Sequence, residues 1–300
     1  MIYEYAVEPS LLNTWNDFRY FVEQFGVSRG RLISRYPGKW ERMVHESLSS
    51  CSPIEKAKIV ERLMRIQDRM ITRQSVWNPQ KEWLPNAEDE HGRKPFRAIL
   101  ARTNPRAQGF VLEGQTVNED HPLWQVQVSL HTARSPEEVA ACVGPLLSIS
   151  RRIVFVDPYF RSNNYEYRTL FAVLLELAVR GRFSDPPSLG IFTSMKSGPN
   201  EQFLLDECRK FLPDVIPAGI QVAVTLWSQR LDGEEIHNRY ILTDRGGVKF
   251  GNSLRQGDTG TTDDINLLGD DQYKLRAEQY VGPTPAFDRV NAITITGTRR

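Results

Sequence analysis

"EEIHNRYILTDRGGVKFGNSL", residues 234–254, is the stretch on which the fold and the chemistry turn. It reads as a β-hairpin: a strand over 236–244, a turn at Asp244-Arg245-Gly246-Gly247 where successive glycines accept positive φ, and a returning strand. A period of two sets His237, Arg239, Ile241 and Thr243 on one face. The returning strand carries Gly251-Asn252-Ser253 back toward His237 and Arg239. An imidazole, a guanidinium, an amide, a hydroxyl and backbone N–H groups opened by glycine suit a phosphate. Arg engages two of its oxygens at once, and the amide and hydroxyl take the rest.

Outward from the hairpin, strands and helices take turns. Upstream lie a strand over 151–160, a helix over 163–182, a strand over 188–196, a helix over 199–212 and a strand over 219–227. "SPEEVAACVGPLLSIS" opens a further helix with a Ser-Pro-x-Glu cap, and "LWQVQVSLHT" alternates with Trp124, Val126, Val128 and Leu130 on one face. This alternation predicts a layered α/β domain with a mixed sheet, parallel through the helical crossovers and antiparallel at the hairpin. Ligands of open α/β sheets gather at strand ends, which here carry Asp157-Pro158-Tyr159, Thr193-Ser194, Lys196 and Trp227.

Residues 1–106 read as mostly helical, and 107–300 as the α/β domain. Leu11, Trp15, Phe18, Phe21 and Phe25 recur at helical spacing, with Ser10 as the expected cap. Ser52-Pro53-x-Glu55 is a capping box before an apolar stripe through Ile54, Ala57, Val60, Leu63, Met64 and Met70, a core face or a partner groove. Residues 77–95, with Pro79, Pro85, Gly92 and an acidic run, are expected to form an exposed loop. "FRAILAR" and "GFVLEG" read as a strand pair. "DTGTTDD" at 258–264 lacks the spacing of a calcium loop and reads as a polar loop.

The spacing His237-x-Arg239-x4-Asp244-x6-Gly251-Asn252-Ser253 is similar to the phospholipase D superfamily signature, His-x-Lys-x4-Asp-x6-Gly followed by small polar residues. It resembles in particular the divergent phospholipase D-like domains at the C-terminus of MIT-domain proteins and their free-standing relatives in bacterial defence systems. "VFVDPYF" looks like an early strand of the same family, and the likeness spans roughly residues 120–280. The resemblance implies an α/β phospholipase D-like fold and a phosphodiesterase, a nuclease in the first instance, that needs no metal or cofactor. His237 would be the nucleophile, Arg239 the phosphate clamp, Asp244 the supporting carboxylate, and Gly251, Asn252 and Ser253 phosphate donors. Lys196 would add a cation, with Asp157 and Tyr159 as further candidates. Two departures stand out. Arg replaces Lys, trading a point charge for a planar fork, and the motif occurs once. His91 has Arg93 two residues on but Ala98 where the Asp belongs; His121 and His131 have no following cation. A single motif implies either a homodimer that pairs two copies of His237 or a non-catalytic phosphate-binding subunit of a larger complex.

Composition sets the outer bounds. The 300 residues are 40% hydrophobic and 25% charged with a formal net charge of +1, so no global field marks nucleic acid or membrane as partner. Residues 1–106 hold 18 Lys and Arg against 13 Asp and Glu, and the rest hold 20 against 24. The densest basic patch, 28–43, reads first as a solvated helix face, while its interleaved Arg35, Tyr36 and Trp40 also match the manner of a nucleic-acid contact. Cys51, Cys142 and Cys208 lie far apart, which argues against zinc and disulfide frameworks and fits a reducing cytoplasm. No basic-then-apolar leader opens the chain, and "FAVLLELAV" at 171–179 is too short for a span.

Overall fold

The computed structural model describes residues 1–114, 117–180 and 185–300, and the chain divides into two compact α/β units, Ile2–Gln127 and Val128–Arg300.

The N-terminal unit runs β1 (Tyr3–Val7), α1 (Trp15–Glu23), β2 (Arg31–Ser34), α2 (Trp40–Ser47), α3 (Pro53–Arg65), β3 (Met70–Ile71), α4 (Trp83–Arg93), β4 (Ala98–Ala101) and β5 (Val111–Glu113). Helices predominate as expected, but they enclose a five-stranded sheet, all parallel, in the order β3-β2-β1-β4-β5. The strands are short and buried on both faces. Such strands read as plain apolar runs, without the alternation that would have marked them. Tyr5 and Val7 pack with Phe18, Phe21, Ile59 and Leu63 on one face; Ala6 and Ile99 pack with Tyr36, Trp83 and Ala87 on the other. "FRAILAR" and "GFVLEG" do form a strand pair, β4 and β5, but within this sheet. The division of the chain therefore falls after Gln127, not at 106/107.

Four local expectations change here. The segment 77–95 holds α4, not an exposed loop. Pro85 sits in its first turn, where backbone N–H groups have no helical partner anyway, and Trp83, Ala87 and Glu90 form a buried face at i, i+4, i+7. The capping box at Ser52 is present, yet α3 turns Ile59 and Leu63 inward and leaves Ile54 and Met64 exposed. Tyr36 and Trp40, expected in a basic contact patch, are fully buried: the Trp40 indole donates to Val7 O at 2.6 Å and the Tyr36 hydroxyl to Asn86 O at 2.8 Å. Thr14, not Ser10, caps α1.

The C-terminal unit runs β6 (Ser129–Ala133), α5 (Pro136–Ile149), β7 (Arg152–Val156), α6 (Tyr165–Val179), β8 (Ser188–Ser194), α7 (Glu201–Phe211), β9 (Gln221–Ser228), β10 (Arg239–Thr243), β11 (Gly247–Phe250), β12 (Thr262–Leu267), α8 (Asp270–Val281) and β13 (Asp288–Thr296). Positions 181 and 182 of the expected helix lie outside the described residues. Eight strands form one mixed sheet, β13-β9-β8-β7-β10-β11-β12-β6. Its centre, β7, β8 and β9, is parallel, and the flanks are antiparallel. The α/β class and the mixed sheet are thus as the alternation predicted. Phe155 packs on Phe171 of α6, with ring centroids 5.1 Å apart, while the adjacent Val156 joins Phe192, Tyr240 and Tyr280 beneath α8 on the other face. The segment 258–264 is loop only in part, since β12 begins at Thr262 and buries Asp263.

Among the described residues, no helix is long and apolar enough to cross a membrane.

Candidate functional site

Strand register builds the site. β10 lies between β7 and β11, with Tyr240 opposite Val156 and Arg239 opposite Phe250. One step beyond those pairs, the chain supplies Asp157 after β7 and Gly251-Asn252-Ser253 after β11. His237 and Lys196 come to the same end, one just before β10 and the other just after β8. This is the carboxyl end of the parallel strands.

Asp157 is the fixed point. Its carboxylate is 1% exposed and accepts the Leu254 N–H at 2.7 Å and the Tyr159 N–H at 2.9 Å. Burial raises its pKa, and the two N–H groups and the nearby Arg239 charge partly offset that rise. The Tyr167 phenol, which donates to Tyr159 O at 2.9 Å, is pushed above its ordinary range by burial and then by the Asp157 charge. Arg239 lies half-buried with its guanidinium 4.9 Å from the centre of the Tyr159 ring, and its buried Nε has no hydrogen-bond partner among the described residues. A guanidinium held at an aromatic face, with a buried carboxylate's charge nearby and its Nε unpaired, suits an anion.

A second buried carboxylate shapes the loop. Asp263 accepts the Asn252 N–H at 3.0 and 3.2 Å. A Cβ at position 251 would stand 2.7 Å from Asp263 Oδ1, so glycine is required there by close approach. Arg134 donates to the carbonyls of Ser253 and Arg255, each at 3.2 Å, and Arg255 pairs with Glu166. The loop that carries Asn252 and Ser253 is therefore anchored from both sides. Asp263, Tyr167 and Arg134 escaped the motif reading. Asp263 alone left a trace, as the inward position of an alternating Asp263, Ile265, Leu267 series.

The remaining candidates separate. His237 precedes β10 and is exposed, so the expected strand pairing of His237 with Arg239 holds only from Arg239 onward. Lys196 donates to Glu235 Oε1 at 2.7 Å and to Ile236 O at 3.3 Å, tethering the segment that leads into His237. The Glu235 carboxyl is held below its usual range by the Lys196 hydrogen bond and charge, with His237 adding to the effect. Asp244 is not brought to this end. It lies about 17 Å along the chain from Arg239, where it accepts the N–H groups of Arg151 at 2.8 Å and Arg152 at 3.1 Å. The C-terminal unit has one other histidine. His131 stands on β6, three strands from β10 or about 14 Å at ordinary strand spacing, paired with Asp264 at 2.9 Å. His91, read as a loop residue, stacks in α4 on Phe110 with ring centroids 4.0 Å apart.

No protein-family model matches the chain, and no curated protein matches it. Among solved structures it is similar to polyphosphate kinase from Porphyromonas gingivalis, at 14% identity and a TM-score of 0.34 over 54% of this chain. It is also similar to TrmBL2, an archaeal chromatin protein described as showing a novel mode of DNA binding, at 11% identity and a TM-score of 0.28 over 51% of this chain. The match spans 27% of the kinase chain and 51% of the chromatin protein chain. The functional reading rests on the site itself.

Proposed function

We propose that the C-terminal unit is a phospholipase D-type phosphodiesterase that acts on nucleic acid, the activity that the resemblance of its motif implies. The observation that supports it most is the Arg239 guanidinium. Its Nε is unpaired among the described residues and it is held against Tyr159 near buried Asp157, at the strand end where His237 emerges and Gly251-Asn252-Ser253 is anchored. In this reading Arg239, Asn252 and Ser253 hold the phosphoryl oxygens, and Lys196 fixes the approach to His237. A ring nitrogen of His237 attacks phosphorus, and the bond to the leaving oxygen breaks as that oxygen takes a proton from the imidazolium of a second copy of the chain. Water then attacks phosphorus, the P–N bond to His237 breaks, and the water proton returns to the second copy's imidazole. The covalent intermediate divides one difficult displacement into two easier ones, and the cations stabilise the charged oxygens.

The lone imidazole favours one alternative. If no second copy pairs with it, the same groups bind a phosphate without cleaving it, as a subunit of a larger complex. Light scattering combined with hydrolysis of bis(p-nitrophenyl) phosphate and of labelled DNA and RNA in EDTA tests both readings. A dimer whose EDTA-resistant hydrolysis falls at least a hundredfold in His237→Ala and Arg239→Ala fits the enzyme. An inactive monomer that binds inorganic phosphate through Arg239 fits the binding subunit. Hydrolysis unchanged in His237→Ala would overturn the assignment.

A further inference from the structure

The N-terminal unit carries a groove of its own that the hairpin motif does not touch. It is open, about 270 Å³ in volume, and lined by Trp15 of α1 with Lys58, Glu61, Arg62 and Arg65 of α3. Lys58, Arg62 and Arg65 recur at i, i+4 and i+7, so they form one ridge on the helix. The rise from the first to the last is about 10 Å at 1.5 Å per residue. Trp15 forms the facing wall. One face of its indole stacks on Phe18, with centroids 6.2 Å apart and planes 22° from parallel, which fixes the ring. Lys58 Nζ stands over the ring at 5.8 Å, near the outer limit of cation–π contact, and is easily exchanged for another partner. Glu61 pairs with Arg65 and leaves Lys58 and Arg62 without a carboxylate among the described residues.

We infer that this groove binds single-stranded nucleic acid, with a base against Trp15 and the sugar-phosphate chain along the Lys58–Arg62–Arg65 ridge. A fixed aromatic ring beside a line of cations is the combination that single strands require, because every base has a stacking face while each phosphate needs a countercharge. A membrane surface would call for apolar side chains within the groove itself, whereas its one apolar lining residue, Trp15, is half-buried against Phe18. The positive charge is local. Ile2–Gln127 as a whole holds 18 Lys and Arg against 16 Asp and Glu, so binding should depend on these few residues and not on the unit's overall charge. The inference is independent of the chemistry proposed for the other unit.

The test is fluorescence anisotropy of labelled dT12 and rU12 titrated with the full chain in a His237→Ala background, which prevents cleavage, at 50 and 200 mM salt. Three phosphate contacts on a single strand give a slope of log affinity against log salt of about −2, hence roughly a twentyfold loss between the two salts. Arg62→Ala/Arg65→Ala, two exposed or half-exposed positions, should weaken binding at least tenfold and bring the slope to about −0.7. Trp15→Leu should weaken it fivefold or more with the salt slope unchanged, as loss of a stacked base predicts. Unchanged binding in the double variant would overturn the inference. So would a loss seen only on adding Arg239→Ala, which would place the strand on the other unit, or tighter binding to phosphatidylserine vesicles than to either oligonucleotide.

Discussion

Where the strand order of the N-terminal sheet reverses, between β1 and β4, Glu8, Ser10 and Arg102 satisfy one another. Glu8 Oε2 accepts the Arg102 N–H at 2.8 Å, and Arg102 Nε donates to Ser10 Oγ at 3.1 Å. Deeper in that unit the fully buried Arg73 side chain lies 3.5 Å from both Glu90 and Glu4 and packs on Phe96. At the corresponding end of the C-terminal sheet, Asp157 and Asp263 spend their acceptors on backbone N–H groups instead, leaving Arg239 Nε open and His237 exposed. At these strand ends the carboxylates meet cations in one unit and backbone N–H groups in the other. Binding groups stay available where carboxylates hold the backbone and do not neutralise the cations.

The sharpest way to break that contrast is Glu90→Ala. It strips a partner from a guanidinium with no solvent access, and a loss of about 3–5 kcal/mol of unfolding free energy is expected. Chemical denaturation followed by tryptophan fluorescence measures it. A loss below about 1 kcal/mol would mean that Arg73 finds its countercharge in Glu4 alone.

Asp157→Asn comes next. One oxygen acceptor becomes an N–H donor that faces either Leu254 N or Tyr159 N, a cost of about 1–3 kcal/mol. The pH dependence has a definite sign. Because the folded-state pKa is raised, the folded chain holds that proton more tightly than the unfolded one. The resulting stability is present below the unfolded value of about 4 and is lost as pH rises through the folded value. Wild type should therefore exceed Asp157→Asn by more at pH 4 than at pH 8. An equal gap at both would show that the carboxyl titrates normally.

Asp244→Ala has the smallest expected effect, about 1 kcal/mol from two lost acceptor contacts at the far end of β10, with phosphate affinity unchanged. Arg239→Ala should do the reverse, lowering phosphate affinity tenfold or more at nearly constant stability. Isothermal titration with inorganic phosphate separates the two, and a matching affinity loss in Asp244→Ala would restore Asp244 to the site.

Much of the C-terminal unit was legible in the sequence. Ser135 caps α5, β7 to β9 are apolar runs between helical stripes, and Asp244-Arg-Gly-Gly marks the turn between β10 and β11. Legibility failed where burial is two-sided or polar. The strands of the N-terminal sheet show no alternation, and α4 was hidden by Pro85 and an acidic run whose Glu90 serves Arg73 from the inside. Spacing along one hairpin named His237, Arg239 and the Gly251–Ser253 loop because those residues are close in sequence. It also placed Asp244 with them, since spacing does not say at which end of a strand a residue stands.

By itself the sequence determined the α/β class, the Ser-Pro-x-Glu caps at Ser52 and Ser135, the hairpin and the identity of the groups gathered around it, all properties of local propensity and short-range pattern. Only the tertiary structure decided that Asp157 and Asp263, 97 and 11 residues from their backbone partners, hold the loop. It likewise decided that Asp244 faces away and that Trp15 meets the ridge of α3. Those pairings depend on strand order and helix packing, which bring together residues that no sequence period connects.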